Sequence, residues 1–334
     1  MRMILPTKKP PITAYSHLAS LFSIFWTDRA RVLPWICDHF LLTGFYLSGR
    51  WVKLFNGPSF SSNYLDTPYT RNIELDRRIS SPCMERFSEF VELCLQNRCY
   101  VFACLDNYYL PCSPYYLKEH YIHQSFIYGF DSDEKTVHIA DYYSQKYARA
   151  EISYSDLNRG YSEIGLDDDS PAHYRDIALC QFVPDAEYQP NLNLLRDTLA
   201  KYLRGKDGNQ ETELSIVYGV ECYRAMAEDA ANDGRVDIRA YQMLYDHKVL
   251  MRHRLEYFRE QIGRWGKIDL AGKNERLIEE AFLLRNLVIK YLLSKHERLL
   301  REISERCLSL MEADRQFTEA FLEFVHSELN VSQP

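Results

Sequence analysis

Between Pro184 and Asn193 (PDAEYQPNLN) the chain changes character, and that change bounds what it can fold into. Before it, short β-branched and aromatic runs alternate with helix-like patterns. Beyond it, apolar residues recur almost throughout at three- and four-residue spacing, the period of an amphipathic helix. The 334 residues are enough for two cores. The reading is therefore an α+β domain over about Met1–Pro184, a linker, and an α-helical domain over about Leu192–Val331. In the second domain, helices are expected over Leu192–Leu203, Thr212–Asn232, Asp237–Trp265 and Lys273–Glu312, joined by short loops into an antiparallel bundle.

In the first domain, Leu18, Leu21, Phe22 and Phe25 sit at i, i+3, i+4 and i+7. They mark an amphipathic helix over Tyr15–Phe25, with Thr13 or Ser16 placed to cap it. Pro34 opens a second expected helix, Trp35–Tyr46, whose Cys37 reads as core. Residues 56–81 read as loop, and Met84–Gln96 as a helix. Cys99–Leu105 is an unbroken apolar run and fits a buried central strand, with Asp106 at its end before a tyrosine-rich loop. Further on come a strand at Tyr147–Ile152, a helix from Tyr154, an acidic loop at Asp167–Asp169 and a last strand at Ile177–Val183.

The stretch His123–Asp141 (HQSFIYGFDSDEKTVHIAD) reads as a β-hairpin, two apolar strands joined by a Gly/Asp/Ser-rich turn. A histidine entering the first strand and a carboxylate leaving the second lie side by side at one end of it. That arrangement holds an imidazole in one tautomer and stabilises its charged form. The plainer reading is a surface hairpin with a half-buried histidine.

Composition narrows the function classes. With 46% hydrophobic and 26% charged residues and a net charge of −7, nothing favours a nucleic acid or an anionic membrane as partner. No segment reaches the roughly 18 apolar residues of a membrane span, and the proline-broken start lacks the core of a signal peptide. Nine scattered cysteines without a CxxC pair suggest reduced thiols, hence a cytoplasmic protein, rather than a zinc cluster or disulfide framework. A metal site from His120, His123 and Asp141 is conceivable on ligand types. The hairpin, however, commits His123 and Asp141 to each other, so neither metal nor cofactor is expected.

His123 followed by an apolar strand, Gly129-Phe130-Asp131 at its end and a strand closing on Asp141 resembles papain-like bacteriocin-processing cysteine peptidases. With CLDNYYLP, VYGVECYRAM and LYDHKVLMRHRLEYF added, the chain more closely resembles the butirosin biosynthesis protein H family of antibiotic and nonribosomal-peptide gene clusters. The resemblance covers nearly the whole chain through short motifs. It implies a papain-like fold, with an N-terminal helix on a small antiparallel sheet, that moves an acyl group from a carrier-protein phosphopantetheine thioester to a small-molecule amine. In such a domain a cysteine forms the acyl-enzyme, a histidine is the base and an aspartate orients it.

Carried over, the resemblance places Ser16 at the nucleophile position, His123 as base and Asp141 as its partner. Three departures stand beside it. Serine replaces the family cysteine, Pro10-Pro11 occupies the region of the upstream glutamine, and tyrosines follow Asp141 where the peptidases often have proline. Ser16 is thus a working nucleophile, a trapping substitution, or a bystander to direct transfer, and a fourth reading is a binding protein that lost its nucleophile. Thioester hydrolysis would use the same site with water as acceptor.

Asp106, Tyr108 and His17 are the substrate-binding residues of this reading, Asp106 for the amine of the acceptor. Their plainer roles are a strand-end cap for Asp106 and a structural place for His17, with His120 an exposed loop residue. Lys248, Arg252, Arg254 and Arg259 are expected to form a basic face for an acidic carrier protein.

Overall fold

The computed structural model describes residues 1–56, 64–143, 146–165, 171, 174–183, 185–205, 216–262 and 269–331. In chain order the elements are β1 (Arg2–Ile4), α1 (Ser16–Phe25), α2 (Arg29–Ile36), β2 (Thr43–Tyr46), β3 (Trp51–Leu54), β4 (Thr70–Asp76) and α3 (Arg77–Ser80). Then follow α4 (Phe87–Gln96), β5 (Tyr100–Asp106), β6 (Ile122–Asp131), β7 (Thr136–Tyr143), β8 (Lys146–Ser153), α5 (Tyr154–Ser162) and β9 (Asp176–Phe182). The last are α6 (Leu192–Arg204), β10 (Ile216–Tyr218), α7 (Glu221–Glu228), α8 (Ile238–Ile262), α9 (Leu270–Ser294) and α10 (Arg298–Val331). The fold is α+β, with antiparallel sheets and a helical C-terminal region. Two compact units form, Met1–Arg29 with Asn63–Glu187, and Ala30–Ser62 with Tyr188–Pro334. The second unit thus takes a segment from within the first 184 residues.

The first unit is built on an antiparallel sheet ordered β4-β9-β5-β6-β7-β8, with β1 added along β6. Every residue of β5 is buried, as its unbroken apolar run requires between two flanking strands. The expected hairpin is β6 and β7, and their ladder carries a bulge between Ile127 and Gly129. Gly129 is needed there, since a Cβ would stand 3.0 Å from both the Met3 carbonyl oxygen and His138 Cδ2. α1 packs against β6 and β7.

Two local expectations fail in this unit. Residues 70–76, read as loop, form β4, whose partner β9 lies far along the chain and leaves no local signal. Helix α4 starts at Phe87 rather than Met84, because Ser81–Cys83 form a 3-10 turn and Met84 is extended. The acidic stretch Asp167–Asp169 lies outside the described residues.

The second unit joins a small sheet, β10-β2-β3, to helices α6–α10. The helix expected over Trp35–Tyr46 is corrected here. α2 ends at Ile36, Phe40 takes a left-handed backbone (φ 52°), and the apolar run continues as strand β2 between β3 and β10. The Val217-Tyr218 stretch expected in a helix is likewise strand β10, and helix resumes at Glu221, while 206–215 and Trp265 lie outside the described residues. The expected Lys273–Glu312 helix is two helices, broken where Lys295 turns left-handed (φ 55°) and its N–H closes on the Tyr291 carbonyl.

Of the four cations expected to form a basic face on α8, Lys248 and Arg254 turn inward and Arg259 is exposed. Lys248 is fully buried and pairs with Asp314 at 2.6 Å, while the Tyr202 and Tyr223 hydroxyls donate to the second Asp314 oxygen at 2.6 and 2.9 Å. Arg254 is buried too and donates to the carbonyls of Ile36, His39 and Phe40. Arg252 pairs with Glu275. A buried charge survives only when partnered, and these partners come from helices and loops far apart in sequence.

His247, next to Lys248 on α8, is fully buried, and its Nε2 donates to the Leu41 carbonyl at 2.8 Å. Burial, then the charges of Lys248 and Arg254, hold its pKa well below the usual histidine range. The folded protein keeps this ring neutral, while the unfolded chain takes up a proton below about pH 6.5. Stability of this unit is expected to fall as pH drops below about 6.5, by up to about 1.4 kcal/mol per pH unit for one proton. Denaturant unfolding at a series of pH values checks this, and His247→Gln should flatten the decline.

Candidate active site

The active-site candidate is at the end of the sheet where β6 begins. His123 is the second residue of β6 and Asp141 lies near the end of β7. The antiparallel return of the hairpin brings them together, with His123 Nδ1 2.8 Å from Asp141 Oδ2. The Asp141 side chain is 3% exposed and the His123 side chain 32%. Asp141 also accepts from the Tyr142 N–H at 2.7 Å and, at the edge of hydrogen-bonding distance, from Ser125 Oγ at 3.4 Å. A carboxylate fixed in this way holds the Nδ1 proton, so Nε2 is the basic nitrogen. Tyr121 stacks on His123 with centroids 5.6 Å apart, and Tyr115 stacks on Tyr121 at 4.4 Å. An imidazole paired with a buried carboxylate and walled by aromatic rings is equipped to take and return a proton.

Ser16 is the first residue of α1 and is buried, and Tyr15 rather than Ser16 or Thr13 occupies the N-cap, without a side-chain capping bond. Its carbonyl accepts from Ser20 Oγ at 2.8 Å. Two contacts fix how α1 lies. Ser20 Oγ meets the Tyr147 hydroxyl at 2.9 Å. The His17 ring packs on Tyr64 at 4.8 Å, and Tyr64 donates to Gln124 Oε1 at 3.1 Å. The first turn of α1 therefore lies toward the end of the sheet that holds His123.

Side chains alternate along strands. Gln124, Phe126, Ala140, Tyr142 and Tyr147 thus share one face, the one to which α1 is fastened. His123, Ser125 and Asp141 share the other. The structure brings two members of the expected triad into contact and seats the helix of the third against the opposite face.

Asp106 ends β5. Its buried carboxylate accepts from the Tyr108 and Tyr121 backbone N–H groups at 3.0 and 3.2 Å, and its Oδ2 lies 2.5 Å from His120 Nδ1. It caps the strand end and holds the tyrosine-rich loop. The Tyr108 ring stacks on His120 at 4.3 Å, and the His120 side chain is 64% exposed. This second His–Asp pair escapes sequence reading, because Asp106 and Tyr121 become neighbours only when β5 pairs with β6. It also separates His120 from the set His120, His123 and Asp141, since each histidine has its own carboxylate.

The cysteines offer no activated thiol in this region. Cys112 lies near Tyr143 and Asp141, and burial pushes its thiol up to about 11 despite the hydrogen bond with Tyr143. Cys104 is buried and pushed up to about 12. No group of three or more metal-ligating side chains occurs among the described residues, and none of their helices is long and apolar enough to cross a membrane. Comparison of the chain with protein-family models and with curated proteins gives no match.

Replacing Asp106 by Ala removes a buried acceptor of three donors. It is expected to cost about 1–3 kcal/mol and to speed hydrogen exchange at the Tyr108 and Tyr121 amides. Unchanged exchange at both amides would contradict the role given to Asp106.

Proposed function

We propose that the first unit is a papain-like domain and that the protein transfers an acyl or peptidyl group from a carrier-protein thioester to a small-molecule amine. The observation that supports this reading is the His123–Asp141 pair, a half-exposed base held by a buried carboxylate. As the amine nitrogen attacks the thioester carbonyl carbon, His123 Nε2 takes its proton. The C–S bond breaks, and the imidazolium returns that proton to the departing thiolate. Asp141 stabilises the imidazolium between the two steps. Free cysteines throughout the described residues suit a reducing compartment such as the cytoplasm.

The seat of α1 favours the direct form of this reaction over a serine ester, because Ser16 belongs to a helix on the face away from His123. A serine hydroxyl also needs stronger activation than a thiol. In the covalent form Ser16 would carry the acyl group, with His123 removing its proton.

Intact-protein mass spectrometry and product analysis with a panel of acyl thioesters and amines test the reading. The direct form predicts amide without a protein adduct, full activity in Ser16→Ala, and a loss of about 100- to 10,000-fold in His123→Ala. An adduct on the chain or on Ser16→Cys that vanishes with His123→Ala would establish the covalent form instead. If no combination yields amide, acid or adduct, acyl transfer is wrong and a binding role takes its place.

A further inference from the structure

The first unit holds a cavity of about 660 Å³ away from the His123–Asp141 pair, between α3, the start of α4 and the end of α5. Three arginines line it, Arg77, Arg78 and Arg86, against one acid, Glu85. Arg78 is taken by Asp76 through three side-chain bonds, and Arg86 reaches Glu89 only at 3.9 Å. Arg77 is different. It is 4% exposed, and among the described residues no carboxylate pairs with it. Its Nη1 and Nη2 donate to the carbonyls of Tyr161 and Cys104 at 3.1 and 2.5 Å, and its Nε has no acceptor. The guanidinium lies over the Tyr161 ring at 4.1 Å, and that ring stacks on Phe87 at 3.7 Å.

A cation taken out of water needs a counter-charge, and two carbonyls and a ring face supply only part of one. The two carbonyls take two of the guanidinium's five N–H groups, and a guanidinium is shaped for an oxyanion. The cavity volume is in the range that takes small molecules, and its inner wall is aromatic. We infer that this cavity binds a small molecule carrying a phosphate or carboxylate on an apolar body, with Arg77 as the buried anchor and Arg78 and Arg86 at the mouth. This site is independent of the acyl-transfer reading.

Calorimetric titration of the full chain with phenyl phosphate and with benzoate tests it. Saturable binding of at least one is expected, and whichever binds more tightly names the oxyanion. Arg77→Gln should weaken that binding roughly tenfold or more. Because Arg77 also ties together the Tyr161 and Cys104 carbonyls, the exposed Arg86→Gln is the second variant, expected to weaken binding roughly two- to fivefold. Arg86→Gln decides the matter if Arg77→Gln fails to fold. No saturable binding of either probe, or binding that no folded variant weakens, would overturn the inference.

Discussion

The pairing of β6 with its neighbours is the constraint on which the first unit depends. β6 is paired along one edge to β5 and along the other to β7, with β1 joining near the bulge. That single strand sets the register of His123 against Asp141 and, across β5, the place of Asp106 against Tyr121. Because side chains alternate, a slip of one residue would carry His123 to the α1 face and break its bond to Asp141. Gly129 protects the register where β1 approaches closely.

Buried polar groups give the second unit its specificity in a different way. Asp314 gathers Lys248, Tyr202 and Tyr223, and Arg254 gathers three carbonyls from the end of α2 and the turn after it. Each cation meets partners from other parts of the chain, so the unit is held by groups that an apolar pattern does not mark. Removing one partner leaves an uncompensated charge, which costs far more than the pair contributes. His247, kept neutral by burial and by the charges of Lys248 and Arg254, makes the same interior sensitive to acid.

Much of this was legible in the sequence where the signal is local. The apolar run of β5, the hairpin turn between β6 and β7 and the three/four spacing of α1, α6 and α8 each carry their own period. The His123–Asp141 contact followed from the hairpin alone. What escaped depended on partners elsewhere. β2 looked helical because a short apolar run has no period of its own, and of its two partners only β3 is near in sequence while β10 is distant. Lys248 and Arg254 looked like a solvated face, since only the fold supplies Asp314 and the carbonyls that bury them. The Arg77 cavity gave no sequence signal at all, being assembled from α3, α4 and α5.

The central claim is that Asp141 fixes His123 as a base with Nε2 available for proton transfer. Nitrogen-15 NMR of the His123 ring at a pH where it is neutral tests this directly, with Asp141→Asn as the comparison. The account predicts a protonated Nδ1 and an unprotonated Nε2 in the native chain, and a changed tautomer balance in the variant. A ring protonated mainly on Nε2, or a tautomer balance that Asp141→Asn leaves untouched, would contradict it.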